Sequence, residues 1–409
     1  MSLEPPLRPL PRLRAVGADF GAVYAGSALV AFLFAASGPV AVILAVGARG
    51  GLSEADLASW IFGAFFLNGL VSIAFSIAWR QPLVFFWTIP GAVLVGPALA
   101  HLSFAEVIGA YLATGLLMLA LGLSGWVRRA MEAVPMPIVM GMVAGVFLRF
   151  GVDLVHALRD DFPVAAPMVA AFLLLSVWQA AARVLPPLLG ALAAGAVAIA
   201  LAGTFAPAGA LFGFAAPGLY APAFSWRAML ELVLPLAITV LVVQNGQGIA
   251  VLKAAGHSPP VNAIAAACGL ASLATALVGS VSTCLTGPTN AILAASGERE
   301  RQYTGAIAVG VLALVFGALS PFFTRLLLAT PPAFIAALAG LAMLRVLQTA
   351  FSIAFGGRFA LGTLVTFLVT VADVPIFGIG AAFWALVFGT LVSGLLERAD
   401  FRDRAGASR

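Results

Sequence analysis

The chain has 409 residues, of which 62% are hydrophobic and only 9% charged, with a mean hydropathy of +1.10 and a net charge of +5. A soluble globular domain carries about 25% charged residues, so this deficit excludes that class and predicts an integral membrane protein. The positive balance then reflects topology and contact with anionic lipid, and gives no reason to expect nucleic acid.

The N-terminus carries prolines and arginines ahead of an apolar run too long for a signal h-region, so no cleavable leader is expected. Apolar runs of about 20 residues, with shorter ones allowed where proline interrupts, predict about fourteen spans. In the first half these are residues 18–47, 55–79, 83–100, 103–125, 133–157, 164–182 and 186–204. The second half gives 229–252, 260–279, 281–296, 303–328, 331–351, 358–372 and 376–396. Cytoplasmic loops hold the excess of cationic residues. With the N-terminus inside, 16 of the 21 fall on that side, and Arg49, Arg149, Arg159, Arg227 and Arg325 fall outside. Both termini are therefore expected in the cytoplasm, beneath a bacterial-type inner membrane.

Two spans carry the same interruption, Thr88-Ile89-Pro90-Gly91 and, 198 positions later, Thr286-Gly287-Pro288-Thr289. A proline break leaves backbone N–H and C=O groups unpaired, which lipid tolerates only where they line a protein-enclosed cavity. Matching breaks in two halves of a chain mark a substrate site. The halves also echo one another. Ala133-Val134-Pro135 and Leu148-Arg149 recur 196 positions on as Ala329-Thr330-Pro331 and Leu344-Arg345, with Ala144-Gly145 echoed between them by Ala339-Gly340, and Ala41 to Gly47 is matched by Ala250 to Gly256. Seven spans per half turn the second copy over, giving an inverted repeat of residues 1–205 and 225–397.

Several strings resemble the BenE-type benzoate/proton symporters, which belong with the nucleobase/ascorbate and sulfate transporter superfamily. They are Trp87 to Ala92, Ala144 to Gly151, Gln244-Asn245 followed by Gly248 to Gly256 and Pro259-Pro260-Val261, Pro331 to Gly340, and Gly378 to Trp384. The resemblance runs nearly end to end. It implies an all-α polytopic fold in which a core domain, residues 15–125 with 229–328, moves against a gate domain, residues 130–205 with 331–397. In that fold the third and tenth spans are extended segments leading into half-helices whose N-termini face each other, here at Thr88 to Ala92 and Pro288 to Ala291. The implied function is import of benzoate or a related aromatic carboxylate, with protons, by alternating access.

Opposed half-helix N-termini present free N–H groups and partial positive charge, so they attract a carboxylate without requiring an arginine. The expected substrate-binding residues are Trp87, Thr88, Pro90, Gly91 and Ala92 at the first break and Thr286, Pro288, Thr289 and Asn290 at the second. Thr289 and Asn290 alternatively cap their own half-helix. Gln244, Asn245 and Gln247 in the eighth span donate to the carboxylate, steady the breaks or join helices. Phe85, Phe86 and Trp87 offer a wall for a ring, or pack in the core. Ser37 matches a site-lining position in the resembling fold, with a bond back to its own helix as the alternative.

No Asp, Glu or His stands at the centre of a predicted span, although a buried titratable residue is the usual marker of a proton relay. Nucleobase members of the superfamily carry carboxylates in spans eight and ten, so their absence here argues against a nucleobase. Asp19 and Glu106 are the candidate proton-coupling groups; His101, Asp153 and Glu231 also lie near span ends, where solvated charge is the alternative. The proton otherwise travels with the weak-acid substrate. Arg149 and Arg345 occupy equivalent places, and are expected to snorkel to opposite faces or to gate. Cys268 and Cys284 read as small buried hydrophobes. His101, His156 and His257 lack metal-ligand spacing, and no Walker lysine, nucleophile elbow or zinc-protease motif occurs, so no enzyme, cofactor or metal is expected. The expected partners are the aromatic carboxylate, protons, the bilayer and a second copy in a homodimer. Two functions compete: a carrier of another small organic anion or nucleobase-like compound, because Ser282 to Pro288 departs from the usual family pattern, and a passive anion channel.

Overall fold

The computed structural model describes residues 3–6, 9–127, 129, 135–178, 185–207, 209–377 and 379–407. Arg8, Arg128, Ala133, Val134, Arg183, Gly378 and Arg409, which enter the expectations above, lie outside the described residues.

A helix stands in each expected apolar segment. In chain order these are α1 (Leu13–Asp19), α2 (Ala22–Ala36), α3 (Gly38–Arg49), α4 (Glu54–Trp79), β1 (Phe85–Trp87), α5 (Ile89–Ala98), α6 (Phe104–Ser124), α7 (Met136–Asp160), α8 (Phe162–Val177) and α9 (Pro187–Ala202). After a long connection come α10 (Trp226–Ala254), α11 (Val261–Leu277), β2 (Thr283–Leu285), α12 (Gly287–Ala294), α13 (Arg299–Ala318), α14 (Ser320–Leu328), α15 (Pro332–Ala354), α16 (Ala360–Ala372), α17 (Ala381–Leu396) and α18 (Arg398–Ala407). Among the described residues seven helices are long and apolar enough to cross a membrane, with α2 and α3 counted together as Ala22–Arg49. Six shorter ones, α5, α8, α9, α11, α16 and α17, are apolar over 10–17 residues.

Helix starts follow local chemistry. Ser53 with Asp56 and Ser103 with Glu106 form capping boxes at α4 and α6, each satisfying two N–H groups that the helix leaves free. Prolines occupy the first turns of α7 and α15, where the missing N–H had no partner to lose.

Three features depart from the expected segments. The first apolar run is two helices, because Ser37 leaves helical geometry (φ −94°, ψ −99°) ahead of Gly38-Pro39. The run 303–328 breaks at Leu319, ahead of Ser320-Pro321, into α13 and α14. Widened π-helical turns occupy Gly63–Leu67 in α4, and Met229–Val233 and Thr239–Asn245 in α10. Such turns slip the register of a helix by a residue and collect at functional sites.

α7 lies along α15, α6 along α11, α4 along α13, α8 along α9 and α16 along α17, while α3 meets α15. Small residues allow the closest approaches, as lipid supplies no hydrophobic drive between helices. A Cβ at Gly269 of α11 would come 2.4 Å from the Leu119 nitrogen of α6. Leu173 and Leu174 of α8 and Leu201 of α9 are exposed, apolar positions that suit lipid contact.

Candidate functional site

The two proline-broken segments meet. β1 and β2 pair antiparallel, with Phe85 opposite Leu285, Phe86 opposite Cys284 and Trp87 opposite Thr283. The Thr88 N–H donates to Ser282 O (3.0 Å) and the Thr286 N–H to Val84 O (3.1 Å), which extends the ladder at both ends. Because the strands are antiparallel, α5 and α12 leave from opposite ends and run apart, so their N-termini point inward. Three residues of strand separate the helix starts by about 10 Å. Pro90 and Pro288 both lie in the first helical turn.

A two-stranded ribbon has two unpaired edges, which a membrane interior tolerates only if side chains satisfy them. On the β1 side the Ser72 hydroxyl accepts from Phe85 N (2.8 Å), and the Ser76 hydroxyl accepts from Leu83 N (3.2 Å). On the β2 side the Ser272 hydroxyl accepts from Thr283 N (2.9 Å), and Asn245 Oδ1 accepts from Leu285 N (2.7 Å). Asn68 Oδ1 accepts from the Thr283 hydroxyl (2.7 Å). Sequence reasoning missed Asn68, Ser72, Ser76 and Ser272. Their signal was one of spacing: positions 68, 72 and 76 line one face of α4 at four-residue intervals.

The two helix starts differ in one respect. Thr88 caps α5, its hydroxyl accepting from Gly91 N (3.2 Å) and lying 3.3 Å from the Thr239 hydroxyl. No side chain caps α12, although Thr286 occupies the equivalent position. The Thr286 hydroxyl is buried without a hydrogen-bond partner, and so is Trp87 Nε1.

A cavity of about 750 Å³ opens beside these groups. Trp87, Pro90, Gln244, Gln247, Thr286, Pro288 and Thr289 line it, together with Phe86 and with Phe147 of α7. Arg345 is its one charged lining residue among the described residues. Gln247 lies over the start of α12, where a Cβ on Gly287 would meet its Cδ at 2.5 Å.

Other expected site residues turn elsewhere. Asn290 Oδ1 accepts from Val84 N (2.9 Å), and its Nδ2 donates to Thr286 O (2.7 Å), so the side chain binds backbone. Asn245 serves Leu285 and also touches Cys268 Sγ (3.5 Å); Cys268 and Cys284 are free and buried. Gly91 packs against α10, where its Cβ would come 2.9 Å from Leu236 Cδ2, and Ala92 is fully buried. The Ser37 hydroxyl donates back to Phe34 O (3.2 Å). Phe85 packs edge-on against Phe75, with ring centroids 5.1 Å apart. Of the expected site residues, Gln244, Gln247, Phe86, Trp87 and the second-break residues other than Asn290 share the cavity with Pro90.

The charged candidates lie apart from it. Asp19 accepts from the Tyr303 hydroxyl (2.7 Å) and from Arg80 (3.3 Å). Glu106 is engaged in the Ser103 capping box, its carboxylate accepting from the Ser103 N–H and hydroxyl, both at 2.8 Å. Arg149 lines a second cavity, of about 800 Å³, with Arg49, His101, Glu231 and Asp373. The C-terminal half of α5, Val93 to Pro97, lines that cavity, whereas its N-terminus lines the first.

The family model described as benzoate membrane transport protein, BenE, matches residues 17–395. The chain belongs to the BenE family. It is accordingly a membrane transport protein and not an enzyme. This BenE chain is 28% identical over 381 residues to the inner membrane protein YdcO of Escherichia coli (strain K12), covering 92% of this chain and 96% of that one. It is also 28% identical over 373 residues to the benzoate membrane transport protein of Acinetobacter baylyi (strain ATCC 33305 / BD413 / ADP1), covering 90% and 93%. Its fold is shared with the transmembrane domain of a cyanobacterium bicarbonate transporter, BicA, at a TM-score of 0.61 and 14% identity over 92% of this chain and 99% of that one. The murine anion transporter Slc26a9 in its inward-facing state matches at a TM-score of 0.61 and 15% identity, over 95% and 70%. At these identities the two structures establish the BenE fold alone.

Proposed function

We propose that this BenE-family chain is a secondary active carrier of benzoate or a related aromatic carboxylate, taken up with protons by alternating access. The observation that carries the reading is the uncapped start of α12 with the buried, unpartnered Thr286 hydroxyl, at an apolar cavity that Trp87, its Nε1 also buried and unpartnered, lines as well. A buried donor left unpaired costs about 1–3 kcal/mol, which an arriving carboxylate recovers. The carboxylate rests against the first turn of α12, within reach of Gln244 and Gln247, and the ring lies along Phe86, Trp87 and Phe147. Thr88, Gly91, Ala92, Asn245 and Asn290 hold the frame, and Ser37 marks the break between α2 and α3. The name of the Acinetobacter relative supports benzoate as the first compound to test.

In this reading the fourteen segments all cross an inner membrane as two inverted repeats, with both termini cytoplasmic and a homodimer as the assembly. α2 to α6 with α10 to α14 form the moving core, and α7 to α9 with α15 to α17 the gate. The first cavity then opens to the cytoplasm, because Met136, Pro186 and Ile353 on its rim adjoin loops assigned inside by their arginines.

Uptake of labelled benzoate into proteoliposomes tests this. Saturable uptake with counterflow, raised by an inward proton gradient and competed by aromatic acids, is expected. Indifference to the gradient removes the symport, non-saturable flux without counterflow points to a channel, and competition by a nucleobase rather than an aromatic acid replaces the substrate class.

A further inference from the structure

Glu231 is 4% exposed, in the widened turn that opens α10, and its Oε2 lies 2.9 Å from His101 Nε2 in the loop between α5 and α6. A carboxylate at this depth is expensive unless it has a task or a counterion. No arginine or lysine forms an ion pair with it among the described residues; its ion-pair partner there is the histidine. The pair joins residues 130 positions apart and lines the second cavity together with the C-terminal half of α5. His101 is 33% exposed, so the cavity reaches its ring.

The same carboxylate touches the segment that leads into α17. A Cβ added to Gly380 would come 2.4 Å from Glu231 Oε1, so the backbone there closes directly over the acid. Of the surrounding charges, Asp373 is near enough to His101 to interact with it, and the others are engaged elsewhere. Arg149 faces Asp373 at 3.9 Å, Arg49 pairs with Asp153, and Glu106 of α6 is bound in its own cap. Asp373, beyond the end of α16, is pushed above its ordinary range by burial. Arg227 sits in the first turn of α10, and α5 and α17 bring no titratable group.

We propose that His101 and Glu231 form the proton-binding site of the transport cycle, and that taking up one proton there permits Gly380 to close over the acid. The proposal rests on the proton-coupled reading above. A neutral imidazole donating from Nε2 to the carboxylate leaves the pair at net charge −1. One proton from the cavity, added at Nδ1, converts it to an imidazolium–carboxylate pair of net charge zero. A neutral pair can be sealed under apolar backbone at far lower cost than an uncompensated charge. Release of the proton restores the charge and favours withdrawal of the Gly380 segment.

The test compares gradient-driven accumulation of labelled benzoate with gradient-free counterflow in proteoliposomes. Glu231→Gln is permanently neutral, so it is expected to lose accumulation and keep counterflow. His101→Gln removes the proton acceptor and the counterion, so the buried acid must be neutralised on its own before the segment closes, and both accumulation and counterflow should fall. The double variant His101→Gln/Glu231→Gln is expected to regain counterflow but not accumulation, whereas rescue of a merely structural pair would restore both. Accumulation by Glu231→Gln equal to that of the parent, loss of its counterflow, or a double variant no better than His101→Gln would each overturn the assignment. If the parent ignores the gradient, the coupled reading and this site fall together, whereas a parent that responds alongside an unaffected Glu231→Gln sinks this site alone.

Discussion

Asn290, in the first turns of α12, closes both hydrogen-bonding groups of Val84, accepting from its N–H at 2.9 Å and donating to its carbonyl at 3.3 Å. One side chain from the second half of the molecule thereby fixes the strand that enters the first half's broken segment, 206 positions away. Asn290→Ala leaves the buried Val84 N–H without a partner, while the carbonyl keeps its bond from Thr286 N. The expected loss is about 1–3 kcal/mol, read as a lower unfolding temperature in detergent, and Asn290→Ser should recover part of it.

Thr286→Val separates binding from stability. The hydroxyl has no partner in the folded chain, so its removal should leave the unfolding temperature unchanged or slightly higher. If the hydroxyl donates to the substrate carboxylate, affinity for benzoate falls by about 1.5–3 kcal/mol. A thermal-shift titration reads both quantities from one sample. Unaltered affinity in the variant would move the carboxylate away from the start of α12.

Gly38 lets α3 pack tightly against its neighbours. A Cβ there would lie 2.2 Å from Ala342 Cβ in α15 and 2.9 Å from Leu188 Cδ2 in α9. Gly38→Val should cost about 1–3 kcal/mol through overpacking. It should also stop uptake, since core and gate meet at this contact in the proposed cycle. Normal uptake by a folded Gly38→Val protein would place the sliding surface elsewhere.

His257, in the turn after α10, carries a pH dependence of defined sign. Burial lowers its pKa, although the bond to Gln302 Oε1 (2.7 Å) opposes this. The unfolded chain therefore binds a proton before the folded one does. Stability is fully present above the ordinary histidine value of 6.5 and is lost as pH falls through the lower folded value. Unfolding temperatures measured below pH 6.5 should decline in the parent and flatten in His257→Gln. An equal decline in both would assign the acid sensitivity to other groups.

Much of this molecule is local information. Hydrophobic runs mark the helices, and Thr88-Ile89-Pro90 and Thr286-Gly287-Pro288 mark the interruptions, because proline, threonine and glycine act on the backbone of their own turn. The echo between Arg149 and Arg345 was equally readable, and each arginine now lines its own cavity.

The direction in which each polar group faces is not local. Asn245 and Asn290 looked equivalent to Gln244 and Thr289 as residue types, yet the first two bind strand backbone and the latter two line the cavity. Rotation of α10 by its widened turns, and the ribbon that joins segments about 200 positions apart, set that difference. Composition and punctuation fix where a chain bends and what it avoids. Hydrogen bonds between distant turns, such as His101 with Glu231, arise only when packed helices bring the partners within 3 Å.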